Sequence, residues 1–179
     1  MGATGLGVCY LRDALDVFAT VVAIVAYSDS SWADCPESRR SRSGYIVTVA
    51  GGPLMWYSKM QKALAMSSCE AELYALCECI KDILWLLSWL DALGIPYSTP
   101  VIYVDNQAAI ALASNPVNHS RSKHIELRYF FIRDAISSGK VQIKYVCSQE
   151  NWADILTKAC TTGIFKYLIN KIMPVFKTK

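Results

Sequence analysis

Histidine is scarce and a strong charge of either sign is missing. Only two histidines occur in 179 residues, and 18 lysines and arginines stand against 15 acids, a net charge of +3. So mild a balance does not mark a nucleic-acid binder by bulk attraction, which leaves local clusters to carry any such signal. Long apolar runs are missing too. Residues 17–27 fall short of the roughly 20 needed to cross a bilayer, and Ser88 and Asp91 interrupt residues 83–93. The seven cysteines are an odd number without a CxxC pair, and the N-terminus lacks a secretory signal pattern. These absences speak against a disulfide framework, a zinc finger or ribbon, a membrane span and secretion. The thiols read as reduced, mostly small core residues of an intracellular chain, cytoplasmic or nuclear. Repeats and low-complexity tracts do not occur.

What is present is the composition of one globular domain, 53% hydrophobic and 18% charged. "TGLGVCYL" (4–11) alternates as a strand does, and residues 21–28 read as a strand buried on both faces. A polar, basic loop (34–44) follows. Two strands then flank Gly51-Gly52-Pro53 as a hairpin. "SSCE" (67–70) fits a capping box with Ser67 at the N-cap and Glu70 three residues on. Beyond it Leu73, Leu76, Ile80, Ile83, Leu84 and Leu87 share one helix face, and Gly94 and Pro96 stop the helix. Residues 100–105 form another buried strand, 106–116 a short helix, 120–139 an amphipathic helix and 140–146 an alternating strand. "SQENWADILTKA" (148–159) opens a last helix, and the tail to Lys179 is apolar and basic without a firm assignment. Three strands followed by alternating helices and strands predict a mixed sheet, an antiparallel meander continuing into parallel strands.

Two of the predicted strands end in aspartate, "AYSD" at Asp29 and "IYVD" at Asp105. Side by side, they would present both carboxylates at the rim where α/β sheets bind ligands. The long helix carries Glu70 and Glu72 in its first turn, facing roughly opposite ways. The capping box occupies Glu70, so Glu72 is the acid able to look toward the sheet. Asp154 lies in the first turn of the last helix. Four carboxylates at one rim repel one another unless cations lie between them, and oxygen-only ligation favours magnesium or manganese. A pair of such ions about 3.5–4 Å apart can activate water and stabilise a leaving oxygen. Each acid taken singly also reads as a solvated strand end or a helix-dipole carboxylate, and residue types alone do not show convergence.

Four blocks together, "YSDSSWADCPESRRSRSGYIV", "GGPLMWYSKMQKALAMSSCEAELYAL", "IYVDNQAAIALASNPVNHSRSKHIELRYFFIRDAI" and "YVCSQENWADILTKA", resemble the ribonuclease H domain of copia-type LTR retrotransposon Pol polyproteins. The match runs from about Tyr27 to Ala159 in order and spacing. The resemblance implies an α/β, ribonuclease H-like fold over residues 21–160, with a five-stranded mixed sheet flanked by helices. Residues 161–179 would be a C-terminal tail. "GATGLGVCYLRD" is similar to the segment joining reverse transcriptase to ribonuclease H, so residues 1–20 read as a remnant of that connection. Asp29, Glu72, Asp105 and Asp154 are then the catalytic and metal-binding acids. Asp29 would bridge two Mg2+ (or Mn2+) ions, Glu72 and Asp105 would lie on one side, and Asp154 would complete the second ion. The implied reaction is endonucleolytic hydrolysis of the RNA strand of an RNA–DNA hybrid, leaving a 3′-hydroxyl and a 5′-phosphate. The chain departs from the family pattern at "CSQEN", the loop before the last acid, where many ribonucleases H carry a histidine. Gln149 or Glu150 is the substitute expected there. His119 and His124 fall earlier and lack the spacing of a helical zinc pair.

A hybrid-cleaving site also needs groups that hold backbone phosphates. Arg39, Arg40 and Arg42 form a compact basic loop near the first acid, equally readable as solvated. Lys59 and Lys62 follow the third strand beside Trp56 and Tyr57, which read as core. Arg121, Lys123 and Arg128 give the third helix a basic side. Ser67 and Ser68 are placed to meet a ribose 2′-hydroxyl, although capping competes at Ser67, and Asn106 adjoins the third acid. Trp85 and Trp89 belong either to the core or to the interface with an absent reverse transcriptase domain. Two other classes stay open. One is a non-catalytic fragment serving as a nucleic-acid-binding or protein-interaction module. The other is an integrase or transposase of the same fold, which the acid set and flanking motifs disfavour.

Overall fold

The computed structural model describes residues 21–114 and 123–173, with side chains from residue 127 onward in the second stretch. The strand reading of residues 4–11, together with His119, Arg121 and the side chains of Lys123 and His124, lies outside the described residues.

The β-branched run forms β1, Ile24–Ser31, and a polar loop leads to the hairpin of β2, Arg42–Val49, and β3, Gly52–Met60. Its two-residue turn has Ala50 at φ 50° and Gly51 at φ 79°, the paired left-handed conformation whose twist suits adjoining strands. Pairing runs Thr48 to Pro53 and then Val47 to Met55, a bulge. It sits on an edge strand, where proline's missing donor is tolerated. Tyr57 stacks on Tyr45 at 5.0 Å as a core residue. Trp56 points the other way and is 67% exposed, contrary to expectation, because neighbouring residues of a strand face opposite sides.

Helix α1, Ser68–Ala92, starts at Ser67, whose Oγ accepts from the Glu70 N–H at 3.2 Å. The return arm differs from a standard capping box. The Glu70 carboxylate accepts from the Met66 N–H at 2.8 Å and from the Tyr74 hydroxyl at 2.5 Å. At the other end Gly94, at φ 68°, donates to the Asp91 carbonyl and Ile95 donates to that of Leu90. This double closure satisfies two of the helix's last free carbonyls. Leu73, Leu76, Ile80, Ile83 and Leu87 are buried as the periodicity requires, while Trp85 and Trp89 meet edge to face on the surface.

The remaining elements are β4, Val101–Val104; α2, Gln107–Ser114; α3, Lys123–Ser137; β5, Gln142–Tyr145; α4, Asp154–Thr157; and α5, Thr162–Ile172. The sheet order is β3-β2-β1-β4-β5. The first three strands are antiparallel, and β4 runs parallel to β1 and β5 to β4. This is the predicted five-stranded mixed sheet. Helix α1 covers β1 and β2 on one face, with α2 and α3 beside it. Ile24 and Ala26 of β1, Ile102 and Val104 of β4, and Ile80 and Ile83 of α1 belong to that core. Tyr27 stacks on Tyr103 and Trp152 at 5.2 and 4.5 Å; by strand alternation these lie on the opposite face, the side of α4.

The last helix is shorter than predicted. Residues 148–150 make a 3-10 turn, and α4 is a single turn. The Asn151 side chain divides them, donating to the Ser28 carbonyl at 3.0 Å and accepting from the Ala153 N–H at 3.1 Å. The segment left unassigned contains α5, capped by Thr161, with Leu168 and Ile172 buried.

Candidate functional site

Parallel pairing sets Ser28 opposite Val104. One residue further on, Asp29 and Asp105 therefore stand side by side just past the point where the pairing of β1 with β4 ends, although β1 itself runs two residues beyond Asp29, to Ser31. Asp154 reaches the same rim from α4, and carboxylate oxygens of Asp29, Asp105 and Asp154 all lie within 4.8 Å of one another. Several contacts hold α4 down, among them the Ser58 hydroxyl of β3, which donates to the Leu156 carbonyl at 2.6 Å. Asn151 clamps the preceding turn to β1. Gly44, paired with Asp29 across the ladder, leaves room for the helix: a Cβ there would lie 2.5 Å from Thr157 Cγ2 and 3.0 Å from Leu156 Cβ.

Asp29 is 1% exposed. It accepts hydrogen bonds from Thr157 Oγ1 and, at 3.2 Å, from Lys158 Nζ. Burial raises its pKa above the ordinary aspartate value; Lys158 and Thr157 pull it down, Asp154 and Asp105 push it up, and the net direction is up. Lys158 also reaches Asp154 Oδ1 at 2.9 Å. Burial alone lowers the lysine's pKa, but the charges of Asp29 and Asp154 outweigh it and the ammonium is held well above its usual range. Asp105 accepts from Ser148 Oγ at 2.6 Å.

Glu72 approaches from α1, as its place on the helix predicts, and is 5% exposed. Its Oε1 accepts from the Ser30 N–H at 3.1 Å and from Ser30 Oγ at 3.0 Å, while Oε2 is buried with no hydrogen-bond partner. Burial, then the charges of Asp29 and Asp105, raise its pKa well above the usual glutamate value. Glu72 thus feels the charges of Asp29 and Asp105 without belonging to the set of three aspartates within 4.8 Å. All the donors are oxygens and one buried carboxylate oxygen lacks a partner, so the residues fit a hard divalent cation.

The candidate phosphate-binding residues divide. Lys59 and Lys62 line a groove of about 430 Å³ together with Gln61, Lys81 and Arg128. The Arg128 guanidinium lies 4.1 Å above the Tyr74 ring, and Lys81 pairs with Glu78 at 2.7 Å. Arg39 and Arg40 are exposed on the β1–β2 loop, Arg42 is half-buried at the start of β2, and Ser68 is exposed beside the capping Ser67. Asn106 Oδ1 accepts from the Ala109 N–H at 3.0 Å and so caps α2. In the loop lacking histidine, Ser148 is the residue that touches an acid, not Gln149 or Glu150; the Glu150 carboxylate accepts from the Tyr167 hydroxyl. Sequence reasoning missed Ser148, Asn151, Thr157 and Lys158. Only the last two left a trace, since positions three and four after Asp154 share its helix face.

No protein-family model matches the sequence. The chain is 38% identical over 140 residues to the retrovirus-related Pol polyprotein from transposon TNT 1-94 of Nicotiana tabacum, covering 78% of this chain and 10% of that protein. It is 41% identical over 152 residues to the Pol polyprotein from transposon RE2 of Arabidopsis thaliana, covering 84% of this chain and again 10% of the relative. The chain thus spans about a tenth of the length of these curated relatives. Among solved structures it is similar to LC11 RNase H1, isolated from compost by a metagenomic approach, with TM-score 0.57, 15% identity, and coverage of 75% of this chain and 92% of that one. That protein has also been solved in complex with an RNA/DNA hybrid, a likeness of TM-score 0.54 at 15% identity covering 75% and 93%.

Proposed function

From a chain that is a homologue of the retrovirus-related Pol polyproteins of plant transposons and carries the ribonuclease H fold, we propose a copia-type ribonuclease H that hydrolyses the RNA strand of RNA–DNA hybrids. The observation that carries this reading is the convergence of Asp29, Asp105 and Asp154, from three separate elements, to within 4.8 Å. The buried and partnerless Oε2 of Glu72 supports it from the other face of β1.

Asp29, Glu72, Asp105 and Asp154 would hold two Mg2+ or Mn2+ ions, which when bound supply an activated water and offset the charge that develops on phosphate. The chain's own residues prepare that site. Ser148 fixes one Asp105 oxygen, Thr157 fixes one Asp29 oxygen, and Ser30 fixes one Glu72 oxygen. The second oxygen of Glu72 is without a partner, and that of Asp29 carries the Lys158 ammonium. Lys59, Lys62, Lys81 and Arg128 offer a basic groove for a strand of the hybrid backbone. Arg39, Arg40 and Arg42 form a second cationic contact, and Ser68 serves as a 2′-hydroxyl partner. Asn106 supports the site mainly as the cap that orients α2 beside Asp105.

Cleavage of an end-labelled RNA strand in a hybrid, with Mg2+ and then Mn2+, tests the proposal. The expected result is 3′-hydroxyl and 5′-phosphate products from the native chain and none from an Asp29→Asn/Asp105→Asn double variant. No products from folded protein, alone or with the polymerase domain of a related element added in trans, would sink the reading.

A further inference from the structure

Lys158 occupies an unusual position for a residue that no motif singles out. Its ammonium lies 2.9 Å from Asp154 Oδ1 and 3.2 Å from Asp29 Oδ1, bridging two acids of the cluster. Among the described residues no other cation forms an ion pair with either aspartate. Asp105, by contrast, is held by a neutral hydroxyl. One positive charge thus sits on the α4 side of a cluster of four acids and reduces its self-repulsion without removing it.

A cation ligated by Asp29 Oδ1 and Asp154 Oδ1 and an ammonium bonded to the same two oxygens would be two positive charges held against each other, so they repel and compete for the site. The lysine side chain is 43% exposed. Its flexible four-carbon stem can carry the ammonium into solvent without unpacking α4. Thr157 remains on the other Asp29 oxygen, so the carboxylate stays oriented when the ammonium leaves.

We propose that Lys158 is a resident counter-ion of the acid cluster, displaced when a divalent cation binds between Asp29 and Asp154, and that it thereby sets the metal affinity of the site; this rests on the metal-binding reading above. Lys158 is a positioning residue here, acting on the acids rather than on substrate. Its removal leaves the metal-free cluster less well neutralised and the metal with one competitor fewer.

Two measurements on the full chain test the displacement, neither of them turnover. In the first, Mn2+ is titrated calorimetrically into the native protein and a Lys158→Met variant. The variant is expected to bind about three- to tenfold more tightly, the range for losing one half-exposed ammonium that competes for two carboxylates. In the second, acetic anhydride labelling of native protein is read by mass spectrometry. Acetylation at Lys158 is expected to rise several-fold on adding Mg2+, with Lys140 as a reference unchanged. Equal or weaker Mn2+ binding by the variant, or Lys158 labelling that is indifferent to Mg2+ while the metal demonstrably binds, overturns the displacement alone. No Mn2+ binding by either protein overturns the metal site and the displacement together. The labelling uses native protein, so it decides the matter even if the variant fails to fold.

Discussion

Both Asp29 and Glu72 keep their protons to higher pH than ordinary carboxylates, Asp29 above 3.8 and Glu72 well above 4.5, with burial the first cause in each. In the unfolded chain these groups ionise at their ordinary values. Between those values and the raised folded ones, the native state binds more protons than the unfolded state, so stability falls as pH rises. Their contribution is fully present below the unfolded pKa and is lost as pH climbs through the folded one. We therefore expect the thermal midpoint of metal-free protein to drop on going from about pH 5 toward neutrality, and Glu72→Gln to flatten that slope. A slope unchanged in the variant would remove Glu72 as its source. Asp105→Asn should act oppositely on two readouts. It takes one charge from a repelling cluster, so the metal-free midpoint should hold or rise. Cleavage should fall roughly a thousandfold, as losing several kcal/mol of metal-supplied stabilisation requires. Paired melting curves and single-turnover hydrolysis check both. The acids themselves were legible in the sequence because each lies near the end of an apolar strand run or in the first turns of a helix, in a recognisable block. Ser148 and Asn151 were not, since their partners lie 43 and 123 residues away, and a hydroxyl or amide outside a regular helix carries no local mark of such a contact; Thr157 shares the helix face of Asp154, but nothing in the sequence ties it to Asp29, 128 residues away.

Helix α4 is one turn long, far too short to hold its own shape, so its position depends on what it rests against. That support is the bare backbone of Gly44, directly across the ladder from Asp29. In Gly44→Ala the added methyl would lie 2.5 Å from Thr157 Cγ2 and 3.0 Å from Leu156 Cβ, so α4 must lift. The expected cost is about 1–3 kcal/mol of stability, as for other overpacked sites. Hydrolysis should fall much further, because the displaced element carries Asp154. Urea unfolding beside a hydrolysis assay tests this, and loss of activity merely in step with loss of folded protein would refute the positioning role. Elements shaped by local chemistry were readable from residues alone. The hairpin has its glycine turn, and α1 has Ser67 at one end and Gly94 at the other. The division of the predicted last helix was not readable, because it follows from Asn151 spending its side chain on β1 instead of continuing a helix. Likewise α5 offers only an apolar, basic stretch whose burial depends on the rest of the domain.

Across the whole molecule charge is nearly balanced, +3 in 179 residues, and yet Lys59, Lys62, Lys81 and Arg128 gather along one groove. The gathering is tertiary. The first two come from the end of β3 and the loop after it, Lys81 from the middle of α1 and Arg128 from α3, so a linear reading catches pieces of the groove and misses its continuity. Glu78, paired with Lys81, also lines it and tempers its potential. Binding through such a groove releases counterions from the hybrid in proportion to the phosphates neutralised, so affinity should depend on salt far more steeply than the net charge implies. With four cations engaged, the affinity of an Asp29→Asn/Asp105→Asn variant for hybrid should fall roughly a hundredfold between about 50 and 200 mM salt. Adding Lys59→Glu and Lys62→Glu should reduce both the affinity and the salt slope, and the same pair of changes in the native chain should leave Mn2+ binding as it was, since neither lysine touches the acids. Fluorescence anisotropy with a labelled hybrid reads the slope. If the slope is unchanged after both charge reversals, the backbone is gripped elsewhere, and Arg39, Arg40 and Arg42 become the cations to reverse next.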